Sequence, residues 1–181
     1  SVYGAPDNQD PVRATTRVND IRTILDDLGV TQVGQVLDFG SGGGSIINVF
    51  VKEMGIPKDK AFSMDIKQPL IPEDERDFTY IQARMGESRI PLPSNSTDLI
   101  TCLMVLHHLG DPASSIEEFY RILRPGGYLI IREHNVDNGL QPRQSELILD
   151  MLHGFYEGVW GDPNNLENPD FPDNYYAKYI S

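Results

Sequence analysis

Cysteine is almost missing from this chain: Cys102 is the one example in 181 residues. That excludes a disulfide framework and any cysteine-rich metal site within the chain, no metal is expected, and a reducing, cytoplasmic setting is the natural expectation. Long apolar runs are also missing. Nothing approaches the roughly 20 residues needed to span a bilayer, so no membrane partner is expected. The opening SVYGAPDNQDP has neither the basic nor the apolar region of a signal peptide. Positive charge is scarce, with 15 Lys and Arg against 27 Asp and Glu and a net charge of -12. Broad, unspecific binding to nucleic acid needs the opposite field, although a small basic patch is still allowed. What is present is 39% hydrophobic residues, enough for a packed core in a single domain covering 1–181.

Helical and strand patterns alternate along the chain, which predicts an α/β domain with a mostly parallel sheet. Val18, Ile21, Leu25 and Leu28, with Ile24 beside them, form a helical stripe within Val12–Leu28, and Gly29 stands where a left-handed cap is wanted. Strands are predicted at Val33–Asp38, Ala61–Asp65, Phe78–Gln82, Asp98–Val105 and Tyr128–Ile131. Between the first two lies a helix with Ile46, Ile47, Val49, Phe50 and Met54 on its apolar face. Asp111-Pro112 is a strong helix start, and Ile116, Phe119, Tyr120 and Leu123 are the expected apolar stripe behind it. Arg124-Pro-Gly-Gly127 is read as the turn into the fifth strand, and a last helix is expected from about Gln144 to Tyr156, followed by an Asn-, Asp- and Pro-rich tail.

The most informative segment is Asp38-Phe-Gly40-Ser41-Gly42-Gly43-Gly44-Ser45, between a strand and a helix. Glycines let backbone approach a ligand closely, and the helix start behind them offers unpaired N–H groups. A P-loop needs a lysine, and none occurs between Gly40 and Val51. The dinucleotide pattern Gly-x-Gly-x-x-Gly fails from Gly40, where Ser45 holds the third position, and from Gly42, where Ile47 does. Asp-x-Gly-x-Gly-x-Gly is matched in full by Asp38, Gly40, Gly42 and Gly44.

This segment resembles motif I of the class I S-adenosylmethionine-dependent methyltransferases. Three further stretches resemble that family in the right order: Asp65 at the end of the second strand, Pro91-Leu-Pro-Ser-Asn-Ser-Thr-Asp98 leading into Leu103-Met-Val-Leu-His-His-Leu109, and Arg121-Ile-Leu-Arg-Pro-Gly-Gly-Tyr-Leu-Ile130. The resemblance implies a Rossmann-like, doubly wound sheet in the order 3-2-1-4-5. It divides the chain into an N-terminal helical segment (1–30), a cofactor-binding core (31–135) and a C-terminal helix and loop-rich tail (136–181). Since no two strand-like runs follow Phe155, the family's sixth and seventh strands are expected to be missing. The implied cofactor is S-adenosyl-L-methionine. Gly40, Ser41, Gly42 and Gly44 would carry its methionine part, with Asp38 orienting the loop or the ammonium. Asp65 would bind the ribose, and Ile66, Arg84 and Met85 would lie by the adenine. Leu103 would floor the site near the sulfonium with Met104; plain core packing explains Ile66, Leu103 and Met104 equally well.

Methyl transfer from a sulfonium is an in-line displacement in which the protein chiefly positions the acceptor. The places where ribose 2′-O methyltransferases of this fold carry Asp and Lys hold Met104-Val105 and Arg132-Glu133, and the Asn/Asp-Pro-Pro-Tyr/Phe motif is absent after the fourth strand. His107, Glu133 and His134 are the candidate catalytic residues, because strand ends of open parallel sheets face the ligand crevice. Ile131-Arg-Glu-His134, the run Leu152-His-Gly-Phe-Tyr-Glu-Gly-Val-Trp160 and Tyr175-Tyr-Ala-Lys-Tyr179 resemble, more loosely, methyltransferase domains of viral polyproteins. That implies RNA as acceptor, with cap guanine N7 suiting the missing base, a place in the host cytoplasm, and other polyprotein domains as partners. Arg13 and Arg17, one helical turn apart, could meet phosphates, although a solvated helix face is the simpler reading, and Glu157, Asp162, Glu167, Asp170 and Asp173 in the tail would repel them. A small-molecule acceptor, or an inactive cofactor-binding scaffold, is the alternative.

Overall fold

The computed structural model describes residues 11–133 apart from Met85 and Ser88. The elements in order are α1 (Pro11–Asp27), β1 (Val36–Phe39), α2 (Ser45–Met54), β2 (Ala61–Asp65), β3 (Thr79–Gln82), β4 (Thr97–Leu103), α3 (Pro112–Ile122) and β5 (Leu123–Arg132). Every strand pairing is parallel and the sheet order is β3-β2-β1-β4-β5, as the family resemblance implied. The expected helix at 144–156, the tail and the expectation about two further strands fall outside the described residues.

Helices cover both faces of the sheet, so its central strands are buried and mostly apolar, with Asp38, Ser63 and Thr101 as buried polar exceptions. Val18, Ile21 and Leu25 of α1 and Ile47, Phe50 and Val51 of α2 pack with Val36, Leu99 and Ile130 on one face. Phe119 and Ile122 of α3 pack with Leu37, Met64, Ile100 and Cys102 on the other. Phe119 is fully buried and meets Phe39 edge-on, with ring centroids 4.9 Å apart. An edge-to-face contact of this kind adds about 1 kcal/mol to the area that the rings bury.

Two apolar stripes differ from expectation. In α1 the buried side chains are Ala14, Val18, Ile21 and Leu25, while Ile24 and Leu28 are exposed. The helix ends at Asp27, and Gly29 at φ 72° turns the chain away before Leu28 can reach the core. In α3 the inward face is Ser115, Phe119 and Ile122, whereas Tyr120 is 84% exposed and Ile116 is at the surface. At 100° per residue the stripe through Phe119 continues to Ser115 and Ile122, and Tyr120 falls outside it. The start of α3 is as read: Asp111 accepts the Ser114 N–H at 3.2 Å, and Pro112 occupies the first turn.

Strand boundaries shifted where side chains intervene. β1 begins at Val36 rather than Val33, because Gln35 donates its N–H to Asp98 Oδ2 at 2.6 Å. Asp98 also pairs with Arg124, so this carboxylate ties together the N-terminal ends of β1, β4 and β5. β5 begins at Leu123, and its register jumps from Thr97↔Leu123 to Leu99↔Tyr128, which makes Arg124–Gly127 an excursion within the strand.

The stretch from Ala83 to Ser96 crosses between β3 and β4 without a helix among its described residues. Arg121 of α3 holds it instead, donating to the carbonyls of Ile90 at 2.8 Å and Leu92 at 3.0 Å. Glu118 accepts the Ile90 N–H at 2.9 Å and takes two bonds from Arg121. Ile90 and Leu92 are thereby buried against α3.

Candidate functional site

The loop after β1 lies at the carboxyl ends of the strands, where open α/β sheets bind ligands. It is pinned to β2: Gly40 donates its N–H to Met64 O at 2.7 Å and Ser41 donates to the same oxygen at 3.3 Å. The Ser41 and Ser63 hydroxyls lie 2.5 Å apart. Gly40 stands at φ 73°, and a Cβ there would come 2.2 Å from Val105 Cγ2. Gly44 caps α2 at φ 82°, with no room beside the Phe78 ring. Each glycine therefore answers both a left-handed backbone and a close neighbour.

Asp38 is buried below this loop and accepts a bond from Thr101 Oγ1 at 2.7 Å. Burial pushes its carboxyl up to about 7; the Thr101 bond opposes that and the nearby Asp65 charge adds to it. Asp65 ends β2 with its carboxylate turned toward the glycine loop. Its Oδ2 accepts the Gly42 N–H at 2.7 Å and its Oδ1 accepts the Lys67 N–H at 3.0 Å. Ile66 follows, 49% exposed. Arg84, also exposed, lies just past β3, on the same side as Asp65, and Met85 lies outside the described residues.

The other wall comes from β4 and β5. Leu103 ends β4, half-buried, and Met104 follows at φ 63°, its N–H donated to Arg132 O at 2.7 Å. A left-handed non-glycine residue costs about 1–3 kcal/mol and needs outside support. Glu133 supplies it. Its Oε1 accepts the N–H groups of Val105 at 2.9 Å and Leu106 at 2.6 Å, and its Oε2 meets His107 Nδ1 at 2.6 Å. Burial raises the Glu133 carboxyl, but the bonds from His107, Leu106 and Val105 outweigh it and hold the group below its ordinary value. His107 is 1% exposed and stacks at a tilt on His108, centroids 4.0 Å apart. His134 lies outside the described residues. Among the described residues no cluster of His, Cys, Asp and Glu is arranged to hold a metal.

The structure thus places Asp38, Gly40, Ser41, Gly42, Gly44, Asp65 and Ile66 around the carboxyl ends of β1 and β2, and Leu103, His107 and Glu133 at the carboxyl ends of β4 and β5, with His107 buried and held by Glu133. Sequence reasoning missed Thr101 and Ser63, which sit inside strands where a hydroxyl reads as ordinary, and it missed Tyr80 and Gln82, which support the turn after Asp65. Arg17, a candidate phosphate contact or a solvated helix residue, pairs with Asp20 at 3.3 Å, and Asp20 also pairs with Arg132.

Comparison with known proteins agrees with this geometry. The methyltransferase domain family matches over residues 37–131. The ubiquinone/menaquinone biosynthesis C-methyltransferase of Hahella chejuensis is 27% identical over 121 residues, covering 62% of this chain and 47% of that protein. The ubiquinone biosynthesis O-methyltransferase of Vibrio cholerae is 28% identical over 105 residues, covering 56% of this chain and 42% of its own length. The chain spans less than half the length of the curated relatives it matches. A sarcosine dimethylglycine methyltransferase structure from Galdieria sulphuraria shares the fold, with TM-score 0.58 and 20% identity over 76% of this chain and 52% of that one. These relatives are cellular proteins. With the motif I loop, the strand order and the family match in agreement, the chain belongs to the class I S-adenosylmethionine-dependent methyltransferases.

Proposed function

We propose that this domain transfers a methyl group from S-adenosylmethionine to a small, largely apolar acceptor. The residues present suit the cofactor: the Asp65 carboxylate suits ribose hydroxyls, the buried Asp38 suits a nearby ammonium, and the glycine loop suits close backbone contact. When bound, the cofactor supplies the activated methyl group on its sulfonium. The chain itself supplies position. Gly40, Ser41, Gly42 and Gly44 shape the cradle, Ile66 and Arg84 flank the base, and Leu103 and Met104 form the floor. His107 and Glu133 act in this reading by holding the Met104–His107 turn in place. A cytoplasmic setting goes with it, on the single cysteine.

One observation carries the acceptor class. An open groove of about 440 Å³ runs beside Leu103 between α1 and β5, with Ile21, Ile24, Ile130 and Ile131 as its apolar wall and Arg17, Asp20, Thr23 and Arg132 as its polar one. That is within the usual range for a small-molecule site, about 300–1,000 Å³. The two relatives named above for quinone biosynthesis point the same way. The cap-RNA acceptor that the sequence suggested draws no support from them, and the net charge of -12 opposes a polyanion. The test is transfer of labelled methyl from the cofactor to a panel of quinone-like phenols and other apolar molecules, beside capped and uncapped RNA. Labelling of the small molecules that is insensitive to salt is expected. Labelling of RNA alone, falling steeply with salt, would overturn the acceptor class.

A further inference from the structure

The turn that follows β2 is held by side chains from β3. Its three successive carbonyl groups, those of Asp65, Ile66 and Lys67, lie within reach of donors from two residues of that strand, the single Tyr80 proton being shared between the Asp65 and Lys67 oxygens. Tyr80 Oη lies 2.8 Å from the Asp65 oxygen and 2.8 Å from the Lys67 oxygen. Gln82 Nε2 donates to the Ile66 oxygen at 2.6 Å, with Ala83 O at 3.3 Å. The Ile66 carbonyl can only accept, so the NH₂ end of the Gln82 amide faces it, and Gln82 Oε1 is left to accept from Gln68 Nε2 at 3.0 Å. Tyr80 and Gln82 are two apart on a strand, so they share one face.

This turn lies beyond the ladder, because the pairing of β2 with β3 stops at Asp65↔Gln82. The Ile66 and Lys67 carbonyls therefore depend on side chains or water. The Tyr80 phenol stays a donor at all working pH values, since burial and then the Asp65 charge push it up to about 12. The turn also sets the direction of the Asp65 carboxylate, which accepts the Lys67 N–H within it.

We propose that Tyr80 and Gln82 are positioning residues for the adenosine half of the cofactor, holding the 65–67 turn so that Asp65 meets the ribose and Ile66 lies beside the base. This rests on the cofactor reading above. A turn ordered in advance spares the ligand the loss of freedom that binding would otherwise impose. Neither residue belongs to the glycine motif, and neither needs to touch the ligand.

The experiment is calorimetric titration of the full chain with S-adenosylhomocysteine, using wild type, Tyr80→Phe, Gln82→Leu, Asp65→Asn and the two double variants Tyr80→Phe/Asp65→Asn and Gln82→Leu/Asp65→Asn. Tyr80→Phe and Gln82→Leu should each weaken binding about tenfold, the scale of one well-placed hydrogen bond. In the Asp65→Asn background the Tyr80→Phe effect should shrink to about twofold or less, because the carboxylate being positioned is gone. A merely structural role would give the same loss in both backgrounds. Gln82 is exposed, so Gln82→Leu in both backgrounds decides the matter should Tyr80→Phe fail to fold. If wild type binds and both variants bind as tightly, or if their losses are unchanged without Asp65, the proposal is overturned. If wild type itself does not bind, the cofactor reading falls first and takes this one with it.

Discussion

Glu133 at the end of β5 reaches the turn after β4, its Oε2 2.6 Å from His107 Nδ1. The same carboxylate closes the N–H groups of Val105 and Leu106, so one side chain holds three consecutive residues behind the left-handed Met104. Glu133→Gln keeps the size but sets an NH₂ group against either two N–H donors or the imidazole. Removing one partner of a buried charged network costs about 3–5 kcal/mol, and the 12% exposure of Glu133 favours the lower end. Urea unfolding at pH 7 measures it; a loss under about 0.5 kcal/mol, the scale of ordinary surface substitutions, would show that the turn holds itself. The pH sign follows from the lowered carboxyl. The contribution is full above the unfolded value of about 4.5 and is lost as pH falls through the lower folded value.

Asp38 behaves in the opposite way. Its folded value near 7 exceeds the unfolded 3.8, so the folded chain holds the extra proton between them. Stability of the ligand-free protein should therefore decline as pH rises from about 4 to 7, and Asp38→Asn should remove that decline. A cationic ammonium beside Asp38 favours the ionised form. Cofactor binding near pH 6 should then release a proton, seen as a dependence of the calorimetric heat on buffer ionisation enthalpy. Equal heats in phosphate and Tris would contradict this.

The strands were legible in the sequence from period and punctuation, while their order and the role of the glycine loop came from the family resemblance that the dense motif carries. Ile24, Leu28, Ile116 and Tyr120 were misplaced because a stripe two residues wide fits several helix rotations, and only packing selects one. Asp98 shows another limit: its position at a strand entrance was readable, but its bonds to Gln35 and Arg124 join residues far apart in the chain. Tyr80 and Gln82 stayed hidden for the same reason. A strand with exposed polar side chains looks like an ordinary edge, and nothing local says which carbonyls they will meet.

Gly40 tests the contact between the two walls of the crevice. Gly40→Ala puts a methyl 2.2 Å from Val105 Cγ2 on a backbone at φ 73°. Overpacking and the left-handed penalty together should cost about 2–5 kcal/mol. Val105→Ala in the same chain removes both nearest methyl groups and should restore part of that loss, leaving the backbone penalty of about 1–2 kcal/mol. Unfolding midpoints of the four combinations separate the two effects. Strict additivity would mean that Val105 moves aside freely and the walls are not coupled.

Arg121 makes the loop between β3 and β4 depend on α3. Its guanidinium binds the Ile90 and Leu92 carbonyls, while Glu118, held down to about 2 chiefly by the bond from Arg121, accepts the Ile90 N–H. Arg121→Leu leaves those carbonyls and the Glu118 charge without their partner, which should lower stability by about 1–3 kcal/mol. Hydrogen exchange at the Ile90 amide gives the sharper reading, because local release of the loop needs no global unfolding. Exchange at Ile90 should quicken far more than at Leu99 or Ile100 in the sheet. Acid should act in the same direction, with the Glu118 contribution full above about 4.5 and lost as pH falls through about 2. Uniform acceleration across Ile90, Leu99 and Ile100 would mean that the clamp supports the whole domain and does not act on this crossover alone.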